Sequence, residues 1–455
     1  MSSTTAEEHV NKDDFSDTNE REKGSREDFP ERDTPSPAAP PPPPQAANPW
    51  HPSQFPDGGL QAWLVVAGSF CFVFCSFGWI NCIGIFQDFY QQNYLSNYSP
   101  SDIAWIASLE IFVMLFGGII VGRVVDNYGP RWPFVFGSLI HVFGLMMLSL
   151  STKYYQIILS QGICSPIGIS LIFTPAMSCP NTWFLRNRGY AIGVVAAGSS
   201  LGGVIFPIMF SHLLTEVGFP WSIRICAFLI LAMLAFGCAV TKSRMPPYPQ
   251  PLSLMAYIRP FKEVPYLLTT IAGCLFYFGL FLPINYIAVQ ASTEFHMDPN
   301  LVQYLIPILN AASLFGRILP GWVSDRVGRF NTISAMGFLS GILCLALWLP
   351  ARGNAPLIVF SALYGFSCGA FVSIIPALVA QISDVKEIGL RIGLQFASLS
   401  IPSLVANPIG GAFISLDNGG YSDMQIWCGV VMLAGSIMFV CARCSISGPK
   451  LAVAV

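Results

Sequence analysis

The sequence predicts an all-α membrane protein of twelve transmembrane helices, arranged as two six-helix pseudo-symmetric bundles. Three observations predict it. The 455 residues are 53% hydrophobic and only 11% charged, with a mean hydropathy of +0.57. Water-soluble domains carry roughly 25% charged residues, so most of this surface must face lipid. Apolar runs of about 20 residues, enough for a helix to cross a hydrocarbon core about 30 Å thick, recur from Leu60 almost to the C-terminus. Strings in the second and fifth runs return in the eighth and eleventh.

The chain begins with a polar tail, 1–56. Residues 1–50 hold 11 of the 25 acidic residues and 5 of the 23 basic ones, followed by a proline run that ends at Trp50. Such a segment cannot bury enough apolar area to offset its ordering entropy, so a disordered cytosolic tail is expected. It contains no apolar signal core, which leaves the first span as the insertion signal.

The twelve runs lie at roughly 60–86, 103–125, 132–150, 155–179, 189–213, 220–240, 266–290, 300–323, 331–350, 356–381, 389–415 and 424–444. The longest internal joint, 241–265, falls halfway. It divides an N-terminal bundle (57–240) from a C-terminal one (266–444), which a short tail (445–455) follows. Strands of a β-barrel would show alternating patterns of about ten residues, which this sequence does not. Prolines inside the runs (Pro166, Pro175, Pro283, Pro307, Pro376 and Pro402) are candidate bending points.

Orientation follows from the basic residues. With the N-terminus inside, 20 Lys and Arg fall in cytosolic segments; only Lys153, Arg224 and Arg352 fall at the outer ends. Both termini are therefore expected in the cytosol, and the plasma membrane is the expected location. Asn97-Tyr98-Ser99 then lies outside, making Asn97 a candidate glycosylation site. The 13 cysteines sit almost entirely in apolar runs, which argues against a disulfide framework. Cys441 and Cys444 have the spacing of a metal pair but lack a second pair. Lipid-facing packing or acylation fits them better, and neither a metal nor a cofactor is expected.

Gly122-Arg123-Val124-Val125-Asp126-Asn127-Tyr128-Gly129-Pro130-Arg131 ends the second span, and Gly321-Trp322-Val323-Ser324-Asp325-Arg326-Val327-Gly328-Arg329 ends the eighth. Gly122/Gly321, Asp126/Asp325 and Gly129/Gly328 share an offset of 199; Gly189/Gly389, Gly193/Gly393 and Ala197/Ala397 share an offset of 200. Parallel repeats about an axis along the membrane normal produce this pattern. A carboxylate at a helix end accepts hydrogen bonds from basic side chains and from the free N–H groups of a neighbouring helix. Gly122, Arg123, Asp126, Gly129, Arg131, Gly321, Asp325, Arg326, Gly328 and Arg329 are accordingly candidate gating residues. Purely topogenic charge would explain the arginines, but not an aspartate at the same place in both halves.

These strings resemble the loop signature of the major facilitator superfamily. Asp57-Gly58-Gly59 with Trp63, and Trp183-Phe184 with Arg186 and Arg188-Gly189-Tyr190-Ala191-Ile192-Gly193, resemble two signatures of its monocarboxylate porter family. The long Pro-rich tail is similar to that of fungal members. The resemblance, over residues 57 to about 444, implies a central cavity lined by the first, fourth, seventh and tenth spans. It also implies a substrate-binding Arg in the eighth span, matched by Arg317. Acid porters carry a Lys late in the first span and an Asp one turn before that Arg. Asn81 and Ser313 stand there instead, which weakens a reading as a proton–lactate symporter.

Ionisable groups inside spans are costly and therefore candidates for function. Glu110 is the one carboxylate well inside a run, about 24 Å from Asp126 at ~1.5 Å per residue. A buried carboxyl favours its protonated form, which makes Glu110 the candidate proton carrier; a hydrogen-bonded helix contact is the alternative. Arg317 is either a bidentate ligand for a substrate carboxylate or part of the cytosolic charge cluster. His141 is expected to be structural and Arg224 to anchor a helix end. Asn81, Gln161, Tyr277, Asn285, Tyr286, Asn310 and Tyr364 complete the candidate substrate contacts.

No phosphate-binding loop is present to drive an ATP-powered pump, and dispersed ionisable groups argue against an intramembrane enzyme. The expected function is secondary or facilitative transport of a small organic compound by alternating access, with efflux of a secondary metabolite ahead of proton-coupled import of a monocarboxylate or vitamin-like solute. A non-transporting receptor is a third reading. The expected partners are that substrate, protons and membrane lipid, with no nucleic acid, and a monomer is the expected state.

Overall fold

The computed structural model describes His51 and residues 54–251, 253–417 and 419–448. The expected tails at 1–56 and 445–455 lie largely outside these. Among the described residues eleven helices are long and apolar enough to cross a membrane: Leu60–Tyr94, Asp102–Tyr128, Arg131–Leu148, Tyr154–Thr182, Arg188–Val240, Val264–Thr293, Leu301–Val327, Arg329–Trp348, Asn354–Gln381, Val385–Leu416 and Ser422–Ser447. The 53 residues of Arg188–Val240 would reach about 80 Å, far more than a bilayer's thickness. Its backbone leaves the helical region at Gly218 (φ 72°), two residues before Pro220, so it is two spans folded back at that point. The twelve expected spans are thus present, with ends within a turn or two of the expected ones.

The halfway joint holds more than a linker. It forms an amphipathic helix, Leu254–Lys262, that stops at Glu263, one residue before the seventh span.

The regular α-helical pattern is interrupted at places other than most of the expected prolines. Helix runs on through Pro175, Pro283, Pro307, Pro376 and Pro402. The first span instead breaks at Ser76 and again at Asn81–Cys82, and the second at Gly117. Widened π-helical turns occupy Tyr90–Tyr94, Ile158–Cys164 and Cys344–Trp348. Such turns leave carbonyls free and cluster at functional sites.

The halves meet through small residues. A Cβ on Gly118 would lie 2.8 Å from the carbonyl oxygen of Gly393, and one on Gly321 would lie 2.5 Å from that of Gly189. No methyl group fits at either contact, which is why glycine stands at both.

Candidate functional site

The end of the molecule that carries Asp126, Asp325 and most of the arginines, called the basic end below, is closed. The fourth span is buried on all sides from Ile172 to Asn181, and the tenth from Ser373 to Ala380. Two aspartates lock it. Asp126, in the N-terminal half, accepts from the N–H groups of Gly389 (2.9 Å) and Leu390 (2.7 Å), at the start of the eleventh span. Asp325, in the C-terminal half, accepts from those of Gly189 and Tyr190 (both 2.8 Å), at the start of the fifth. Each carboxylate thus caps a helix of the opposite half. A helix N-terminus offers unpaired N–H groups and a partial positive charge, so a carboxylate there is held by geometry and by field together.

The two latches differ. Asp325 also pairs with Arg329 at 2.7 Å, and Arg329 itself donates to Leu185 O and Gln381 Oε1. At the offset of 199, Pro130 stands where Arg329 would be. Arg131 is exposed, and Arg123 donates to Pro251 O and Gln250 Oε1 in the joint. Arg326, also a gating candidate, stacks on Trp322 at 3.4 Å and is exposed. Of the two kinds of partner the sequence offered these aspartates, both take the free N–H groups of a neighbouring helix, and Asp325 takes an arginine as well.

Other residues reinforce this end. Asp57 accepts from the N–H groups of Leu185 (2.6 Å) and Arg186 (2.7 Å), which gives the Asp-Gly-Gly string a physical role. Trp63 packs edge-on against Phe184 and Tyr190. Arg188, buried, donates to Phe184 O, Asn181 O and, across the halves, Ala380 O. Arg391 chelates Glu263 with two bonds of 2.6 and 2.7 Å. This pairing holds the Glu263 carboxyl below the usual carboxylate range. The sequence signal for Asp57 and Arg188 lay in the two porter strings. For Glu263 and Arg391 there was none, because their pairing depends on how the joint folds back.

Midway through the molecule, Arg317 crosses the interface. It is 6% exposed and donates to Ala196 O (2.6 Å) and Ser199 Oγ of the fifth span, while its Nε finds no partner. The offset of 199 makes Gly118 its counterpart, so one half carries a buried guanidinium where the other has only a hydrogen. Two turns further from the basic end, Asn310 donates to Gly203 O at 3.3 Å. A Cβ on Gly203 would sit 3.0 Å from both the Asn310 and the Asn81 side chains, which places the two amides together at the break in the first span.

Beyond this pair the first span opens. Gly84 has nothing within 4 Å of its Cβ position, and Asp88 is exposed. A hollow of about 460 Å³ lies there, lined by Ile85, Asp88, Phe89, Ser211, Leu214 and Phe219. The cavity behind Asp126 at the basic end holds about 30 Å³, room for water but not for an organic solute.

The remaining candidates fall into three places. Asn285, exposed, donates to Asn407 Oδ1 (2.8 Å) and Tyr286 to Asn407 O (3.1 Å), so the seventh span is tied to the eleventh away from the basic end. Tyr277 is buried with Phe281 and Phe371. Tyr364 stacks on Phe360 and donates to Leu280 O (2.9 Å), a packing role within the C-terminal half. Gln161 turns away from this group: its Nε2 donates to Glu110 Oε2 (3.0 Å) and its Oε1 accepts from the Tyr90 hydroxyl (2.7 Å). All three are at most 2% exposed, Tyr90 and Gln161 lie on π-helical turns, and Glu110 Oε1 has no partner. Both ring nitrogens of His141 are engaged, by Ser165 Oγ and Cys75 O. Arg224 donates to Ser149 Oγ and packs on Trp221. Asn97 is exposed, with Ser99 capping the second span.

Two six-span bundles, capped into each other at one end by reciprocal carboxylates, define a transporter built for alternating access. The chain belongs to the Major Facilitator Superfamily, whose family model matches residues 62–349 and 269–447. It is 64% identical over 404 residues to MFS-type transporter 1 of Ophiocordyceps sp., covering 89% of this chain and 90% of that one. It is 44% identical over 388 residues to the fujikurins efflux protein of Gibberella fujikuroi, covering 85% and 83%. Among solved structures, FucP in the outward conformation superposes with a TM-score of 0.67 at 15% identity, covering 84% of this chain and 99% of that one. The human organic anion transporter MFSD10 gives 0.67 at 15% identity, covering 84% and 100%.

Proposed function

We propose that this chain exports a small amphiphilic secondary metabolite across the plasma membrane, with the basic end in the cytosol and both termini on that side. The observation that carries the reading is the pair of reciprocal aspartate caps. They hold the basic end shut, and the Asn81–Asn310 level lies on the far side of them. The efflux proteins among its relatives, named for fujikurins, aspyridones and agnestins, support the direction. The two porter-like strings support a place in the monocarboxylate porter branch, although neutral Asn81 and Ser313 favour a substrate read by amides and aromatic rings rather than a small acid.

In this mechanism the substrate binds from the cytosol with the caps released. It meets Asn81, Asn310 and the rings of Phe77, Phe281 and Tyr277, where Phe281 lies 6.5 Å from Phe77 across the halves and 5.2 Å from Tyr277, and leaves once the caps have formed again. Arg317 reports which helix faces it, bonding the fifth span in the closed arrangement. Glu110, with one oxygen bonded by Gln161 and the other unpaired, is the proposed proton carrier. Asn97 is the proposed glycan acceptor on the outer loop, and one chain suffices for the cycle.

The test is comparative metabolite profiling of a deletion strain. One compound should fall in the medium and rise in the cells, and the wild-type gene, but not Asp126→Asn/Asp325→Asn, should restore its release. Unchanged profiles inside and outside would contradict efflux.

A further inference from the structure

The helix in the halfway joint has an unusual surface. Tyr257 and Phe261 pack against the core and Pro260 is buried, so that side is fixed to the protein. The other side is uncovered: Leu254, Met255 and Ile258 are 76%, 56% and 42% exposed, and Arg259 and Lys262 are exposed beside them. Leu254 and Ile258 are four residues apart and Met255 and Ile258 three, so Ile258 joins the other two on one face of the helix. The helix ends one residue before the seventh span, whose outward residues Val264, Leu267 and Ile271 are also exposed. The apolar face is therefore continuous with a surface that lies in lipid. Its last turn carries Arg259 and Lys262.

We infer that Leu254–Lys262 lies along the bilayer surface, with Leu254, Met255 and Ile258 among the acyl chains and Arg259 and Lys262 on acidic phospholipid headgroups. An amphipathic helix of this kind gains from both terms, and an acidic leaflet attracts each nearby basic side chain. The docked helix also reaches the gate. Glu263, the residue that ends it, holds Arg391, which follows Leu390, whose N–H is held by Asp126. Lipid that anchors the helix therefore steadies the cap on the eleventh span. The inference stands independently of what is transported or in which direction.

The test uses the full chain reconstituted in phosphatidylcholine vesicles with and without phosphatidylserine. An environment-sensitive fluorophore is placed at Ile258→Cys, with the exposed Cys441 replaced by Ser. Quenching by a nitroxide-bearing lipid is expected to exceed quenching by aqueous iodide, and to increase with phosphatidylserine. Two basic side chains near an acidic surface shift docking roughly thirty-fold. Arg259→Gln/Lys262→Gln should therefore abolish the phosphatidylserine effect, and adding Leu254→Ser/Met255→Ser should expose the label to iodide. Glu263→Gln leaves the docking face intact and should remain lipid-quenched. Iodide quenching in both vesicle types, or loss of lipid quenching in Glu263→Gln, would overturn the assignment.

Discussion

Arg317 and Glu110 show how much one residue means once its surroundings are known. Both stand out in the sequence as charges inside apolar spans, but neither has its role written there. The alternatives for Arg317, substrate ligand or structural charge, turn on what lies across the interface, and the fifth span supplies Ala196 O and Ser199 Oγ. Lysine keeps the charge but loses the planar fork. Arg317→Lys is therefore expected to slow export about tenfold, the effect of losing one charge-assisted hydrogen bond. The measurement is release of the metabolite identified by profiling, normalised to transporter level; export at the wild-type rate would count against the crossing role. For Glu110 the sequence located the carboxyl, but not Tyr90 nor the pairing with Gln161, which it offered as a substrate contact, since π-helical turns have no periodic signature. Glu110→Gln keeps an acceptor for Gln161 but cannot release a proton. Export is expected to lose its pH dependence while the protein stays within about 1 kcal/mol of wild-type stability. A wild-type pH profile would remove Glu110 from coupling.

At the scale of helices, the repeat spacing made the elements legible, and the structure adds how they cross. Offsets of 199 and 200 identify Asp126 with Asp325 and Gly189 with Gly389, yet equivalence does not say which copy meets which. The answer is crosswise, because each aspartate caps a helix of the other half. The joint helix was missed because a nine-residue segment between two spans falls below the length at which periodicity is informative.

The two caps are expected to respond differently. Asp126→Asn removes the charge from two N–H bonds and should favour opening of the basic end by about 1–3 kcal/mol. Asp325→Asn also leaves the buried Arg329 without its ion partner, so a lower thermal unfolding temperature is expected in addition. Melting curves of the two variants would show it, and equal melting temperatures would contradict the inequivalence. Glu263 supplies a pH test. Its carboxyl is held low by Arg391, so the stability it contributes is complete above the ordinary carboxylate range, about 4.3, and disappears as the pH falls through the depressed value. Because 38% of that side chain is exposed, solvent reduces the effect. The stability gap between wild type and Glu263→Gln should be constant from neutral pH to about 5 and close in stronger acid. A gap that closes near neutrality would contradict the pairing.

For the whole molecule, the sequence specified the count of spans, their bounds and the two-bundle plan, because bilayer thickness fixes helix length and duplication leaves a constant offset. It left open which face was closed. That depends on side-chain bonds between halves separated by up to 264 residues along the chain, such as the one from Leu390 to Asp126. The hydrogen bonds that join the halves run from Asn310–Gly203 down to the basic end, and this asymmetry is what makes the molecule a gate rather than a plug. The most direct measurement is a pulsed electron–electron distance between spin labels at Arg131 and Arg326, exposed residues at the basic end of opposite halves. The wild type should give one short distance, and Asp126→Asn/Asp325→Asn should add a longer population. An unchanged distance distribution in the double variant would show that the caps do not hold the gate.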